Sequence, residues 1–201
     1  MDKTTLANMA FAHCGISQTV VDIDATTETT TYADQFNVFY PTVLDAVYTR
    51  YKPDFPIKQA ALSLIQENPN LTWKYEYTYP TDCLVALGLT DGSQLGVDTF
   101  TEMPYIVAND GSDRVIWTNE ESISLDYLSS FTVISKVPPD FALALSYIMA
   151  GYIAPSITEN RNSGFSLQKQ GENDMLVAMA GITNERGVEP QPDAEIIRGR
   201  A

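Results

Sequence analysis

The side chains of this chain that could do chemistry are few, and their spacing argues against most of the reactions they might serve. His13 is the single histidine, so a Ser-His-Asp or Cys-His device would have to be built on it. It falls on the apolar stripe of Leu6, Met9 and Ala10. Its neighbour Cys14 projects about 100° away on a helix, which is not a nucleophile-base pair. Cys14 and Cys83 lie far apart and in neither metal nor redox spacing, so buried free thiols are favoured over a disulfide framework. Asp22, Asp24 and Glu28 bring calcium to mind, but the glycine and terminal glutamate of a calcium loop are missing and a solvated loop is favoured. Glycoside hydrolysis needs two carboxyls facing across one bond. Glu120 with Glu121, or Asp110 with Asp113, could be proposed for it, but acidic pairs of this kind are common in exposed turns. Neither a Gly-x-x-x-x-Gly-Lys loop nor a Gly-x-Gly-x-x-Gly element is present. The chain is therefore expected not to be an enzyme, with no catalytic, cofactor or metal residue assigned.

The strongest local pattern is aromatic. Trp73, Tyr75, Tyr77 and Tyr79 occupy every second position, so a strand puts their rings on one face and Lys74, Glu76 and Thr78 on the other. Pro80 lacks a ladder N–H and should end that strand. Such a row could stack bases or sugars, but without basic partners a core or interface role is favoured.

The elements around it read as α+β: a bundle of about four helices, an inserted antiparallel β domain and an extended C-terminal tail. The first helix spans about Lys3 to Cys14 and stops at Gly15. The second starts near Thr29 and carries Tyr32, Phe36, Phe39, Tyr40, Val43, Leu44, Val47 and Tyr51 on one broad stripe. Pro41 inside it predicts a kink or a break. From Ile57 to Ile134 turn signals recur, predicting a hairpin of Tyr105 to Ala108 with Arg114 to Thr118 around a five-residue loop, then strands at Ile123 to Leu128 and Phe131 to Ile134. Helix returns at Phe141 to Ala154, apolar nearly all round and closed by Pro155. A last amphipathic helix follows at about Phe165 to Glu185. The predicted domains are 1–56 with 137–187 for the helices, 57–136 for the β insert and 188–201 for the tail.

Charge narrows the partners. A net charge of −14 opposes binding to nucleic acid or an anionic membrane. Between Asp91 and Asp126 there are eight acidic residues against Arg114 alone, so half of the excess sits in the β insert. No basic n-region with an apolar h-region opens the sequence, which reads as a cytosolic product. At the other end, Pro190 and Pro192 stiffen a tail that finishes in Ile196, Ile197, Arg198 and Arg200, an odd composition for a merely soluble tip.

The order of these parts resembles a known family. A short first helix precedes an acidic, Thr-rich loop and a long helix with Phe39-Tyr40-Pro41 near its middle. Trp73-Lys-Tyr-Glu-Tyr and Tyr79-Pro-Thr-Asp-Cys-Leu84 follow. This is similar to the tail tubular protein A family of short-tailed phages, the head-to-tail adaptors, in which a Trp-x-Tyr-x-Tyr stretch leads to Leu-Pro-x-Asp-Cys-Leu. Tyr79 stands where leucine is usual. The resemblance covers nearly the whole chain and is weakest from Asp91 to Ser130. It implies a structural virion protein of the tail or neck, assembled in the host cytoplasm as a homo-oligomeric ring, a dodecamer. The ring docks under the portal, continues the DNA channel without binding DNA specifically, and offers a platform to tail nozzle or fibre proteins. Portal binding is expected of Ile196, Ile197, Arg198 and Arg200. The alternatives are another neck component, such as a head-completion or stopper protein, a wall-degrading hydrolase, or a monomeric binding module using the tyrosine face.

Overall fold

The computed structural model describes residues 1–25, 30–90, 103–111, 113–130, 136–157 and 161–184. The fold is α+β, with four helices and two antiparallel sheets among the described residues. The described residues fall into two compact units: Met1–Pro56 with those of Ser130–Glu185, and Ile57–Ser129. The strand expected at Phe131 to Ile134 and the tail 188–201 lie outside the described residues.

All four helices belong to the first unit. Helix α1, Lys3–His13, starts at an Asp2 side chain that accepts the Thr5 N–H and ends before Gly15, whose φ of +80° suits a residue without Cβ. Helix α2, Thr31–Tyr51, is capped by Thr30 and ends on Lys52 in a left-handed conformation. Pro41 does not break it. One lost hydrogen bond in a 21-residue helix is outweighed by the face it buries, with Phe36, Tyr40, Val43, Leu44, Val47 and Tyr48 in the core.

Helix α3, Pro139–Ile157, runs past Pro155 rather than stopping before it, and helix α4, Arg161–Asn184, begins four residues earlier than its apolar pattern. The two changes have one cause. Pro155 leaves the Gly151 carbonyl without its i+4 donor, and Gly164 of α4 lies against that carbonyl and the proline ring. A Cβ on Gly164 would come within 2.9 Å of both. One and two turns further along the pair, Gly151 faces the Gln168 backbone and Gly171 faces Ile148 and the Ala144 carbonyl, so α3 and α4 approach almost backbone to backbone. α3 is long and apolar enough to span a membrane by composition, but 61% of its apolar window is buried inside the unit, with Phe141, Leu145, Met149 and Ile153 fully so. It is the core helix of that unit.

The described residues of the second unit form seven strands: β1 (Ile57–Ala61), β2 (Leu64–Glu67), β3 (Tyr75–Thr78), β4 (Cys83–Thr90), β5 (Tyr105–Asp110), β6 (Asp113–Thr118) and β7 (Ser124–Ser129). They form a three-stranded sheet β1-β7-β4 and a four-stranded sheet β2-β3-β6-β5. The β5–β6 hairpin is tighter than expected. Asp110 pairs with Asp113, so the connection shrinks from five residues to two, with Gly111 at a φ of +61°. A core of Tyr77, Cys83, Ile116, Ile123, Leu125 and Tyr127 fills this unit, with Tyr75, Tyr79 and Tyr105 packed on it. The tyrosine row is therefore mostly core.

Candidate functional site

The portal-binding residues expected from the sequence, Ile196, Ile197, Arg198 and Arg200, lie outside the described residues. The candidates for chemistry lie within them, except Glu28, which is also outside the described residues. His13 stacks on Tyr147 with ring centroids 3.7 Å apart, and its Nε2 is 3.1 Å from the Ser146 Oγ. That contact resembles a catalytic pair until the proton is followed. The Ser146 hydroxyl donates to the Leu143 carbonyl at 2.6 Å, so its oxygen can only accept from His13, which must carry the proton on Nε2. A histidine donating to the serine is not its base. Burial lowers the His13 pKa and raises that of Cys14 to about 11, so the imidazole favours its neutral form and the thiol, near the Ala150 carbonyl, stays protonated.

The acidic candidates disperse in the same way. Asp22 accepts its own loop's Asp24 N–H, and Asp24 pairs with Lys3. Asp110 and Asp113 oppose each other across the hairpin, while Glu120 and Glu121 are exposed in the turn before β7. Among the described residues, no group of three or more His, Cys, Asp or Glu side chains is placed to hold a metal ion.

What the structure does assemble is a corner of the β unit that the sequence pattern conceals. The alternation from Trp73 to Tyr79 suggests one continuous strand, yet β3 starts only at Tyr75. The Asn70 side chain accepts the N–H groups of Thr72 and Trp73, and Asn119 accepts that of Lys74, which turns Trp73 out of the ladder. Trp73 then shares an open cleft of about 550 Å³ with Asn70, Leu71, Thr72 and Trp117 of β6. Leu71 is fully exposed at its rim.

Glu76 departs furthest from expectation. Placed by alternation on the polar face, it is 1% exposed. Strand pairing explains this: Gln66, Glu76, Trp117 and Ile106 stand in one row across the four strands. Gln66 Nε2 donates to the Glu76 Oε2 at 2.8 Å and the Trp117 indole N–H donates to it at 3.1 Å, while Oε1 is buried without a protein partner. Trp117 and Glu76 were invisible as a pair because 41 residues separate them and only the register brings them together. The cleft is therefore lined by both tryptophans, and the Glu76 carboxylate bonded to Trp117 lies outside that lining, buried and covered by Gln66. Compared with protein-family models and with curated proteins, the chain finds no match.

Proposed function

We propose that this chain is a structural virion protein, a head-to-tail adaptor that assembles as a ring between a phage portal and the tail nozzle or fibres and continues the DNA channel. The observation that carries the reading is the ordered run of Phe39-Tyr40-Pro41, Trp73-Lys-Tyr-Glu-Tyr and Tyr79-Pro-Thr-Asp-Cys-Leu84 in a chain of helices and antiparallel sheets. In its finer form the proposal is a four-helix bundle with an inserted β domain and an extended tail of residues 188–201.

Two physical features support it. A net charge of −14 suits the wall of a DNA conduit, since acidic side chains repel phosphates and let the duplex slide where a basic lumen would hold it. Helix α4 also keeps Phe165, Leu176 and Val177 at 62–73% exposure, side chains better covered by another subunit than left in water. The tail carries portal binding through Ile196, Ile197, Arg198 and Arg200, a weak contact multiplied by repetition around the ring.

The test is electron microscopy of the purified chain mixed with portal, which should show closed rings capping the portal. Deleting Asp193 to Ala201 should abolish that capping while the circular dichroism of the chain is unchanged. Full capping by the truncated chain removes the tail from the proposal. A chain that stays monomeric and ignores portal, nozzle and fibre proteins overturns the adaptor reading itself.

A further inference from the structure

The cleft on the β unit has a chemistry the adaptor reading does not use. Two of its lining residues are tryptophans, both of those in the chain. Trp117 is held at its edge by the Glu76 carboxylate, which spends Oε2 on two neutral donors and leaves Oε1 buried without a protein partner. An unbalanced buried acceptor beside an accessible indole is an unusual expense of folding free energy, and a charged donor relieves it better than an amide.

The surrounding charge has the same sign. The described residues of this unit carry eight acidic side chains and three basic ones, Lys58, Lys74 and Arg114. Two of the three are already engaged, Lys58 with Asp82 and Arg114 over the Tyr79 ring at 4.3 Å. That leaves Lys74, exposed next to Trp73, as a local opposing charge smaller than the acidic surplus. Phosphates and other polyanions are repelled by such a surface. A compact, strongly hydrated ammonium ion gains less from two indoles than a planar, weakly hydrated guanidinium, which can stack on a ring and present two parallel donors to a carboxylate.

We propose that the Trp73–Trp117 cleft receives an arginine side chain from a basic segment of a protein partner. The guanidinium stacks on the indoles and takes the place of the Gln66 amide on Glu76. Gln66 can give way because it is an exposed side chain on the edge strand β2. The apolar stem of the arginine then covers Leu71. The inference does not rest on ring assembly, and the isolated chain can be used to test it.

Because both tryptophans line the cleft, intrinsic tryptophan emission reports on this place alone. The full chain is titrated with an acetylated tetra-arginine peptide, and in parallel with tetra-lysine and with tetra-citrulline, the neutral isostere. A saturable emission change is expected with arginine, with affinity about fivefold or more lower for lysine and lost for citrulline. Glu76→Gln removes the charge and keeps an acceptor for Trp117; it should weaken arginine binding about tenfold, and Trp73→Ala on the loop should do likewise even if Glu76→Gln does not fold. Equal binding of citrulline, arginine binding untouched by Trp73→Ala, or no emission change at any peptide concentration overturns the proposal. Saturation by a neutral chitin or maltose oligomer, without saturation by arginine, overturns it in favour of a glycan platform.

Discussion

Changing Gly171 to alanine tests whether α3 and α4 are held together by backbone approach. A Cβ at 171 would stand 2.7 Å from the Ile148 nitrogen and 2.9 Å from the Ala144 oxygen, both backbone atoms of α3 that no rotamer change can move. Restoring the 3.4 Å of ordinary contact requires the helices to part by roughly 0.7 Å, which forfeits a quarter to a half of the dispersion energy at neighbouring contacts. Overpacking of this kind costs about 1–3 kcal/mol, and the gain in helix propensity on replacing glycine by alanine offsets about 1 kcal/mol of it. With rigid atoms in the way the net loss should be about 1–2 kcal/mol. Gly181 on the same helix is the internal control, because a Cβ there meets nothing within 4 Å. Gly181→Ala should keep the propensity gain and stabilise by about 0.5–1 kcal/mol. Thermal unfolding followed at 222 nm reads the helical unit, each kcal/mol being worth about 2–4 °C in a chain of this size. Gly171→Ala should melt lower than the parent and Gly181→Ala higher. If the two variants shift together in the same direction by the same amount, the close-approach reasoning is wrong.

Three further outcomes follow from particular side chains. Thr30→Ala removes the oxygen that accepts the Ala33 N–H and should cost about 1 kcal/mol in urea unfolding followed at 222 nm. Burial lowers the His13 pKa, so between that value and 6.5 the unfolded chain binds more protons than the folded one; stability should fall as pH drops below about 6.5, and His13→Gln should flatten that part of the profile. Cys14, with its pKa pushed up to about 11 by burial, should react with a thiol-directed disulfide reagent far more slowly at pH 8 than in denaturant; equal rates would show that the thiol is not shielded.

The sequence disclosed what depends on local spacing and concealed what depends on pairing. The stripe of α2, the glycine after α1, the terminus of β3 before Pro80 and the uniformly apolar α3 are each written within a few residues, and periodicity finds them. Pro41 and Pro155 misled because a proline's local penalty was weighed without the tertiary burial and packing that offset it. The cleft was out of reach for a different reason. Alternation placed Glu76 with Lys74 and Thr78 on the face opposite the rings, but a residue's exposure in a sheet is decided by its cross-strand neighbours, here Gln66 and Trp117, and register across distant strands is not encoded in either strand alone. Trp73 shows the converse: it keeps the period of the tyrosines yet leaves their strand, because Asn70 captures its N–H. Spacing therefore argued correctly that the tyrosines build a core and wrongly that the tryptophan joins them. That misfit residue, pulled from the ladder beside a buried carboxylate, is where a local rule gives way, and such places are where function is to be sought.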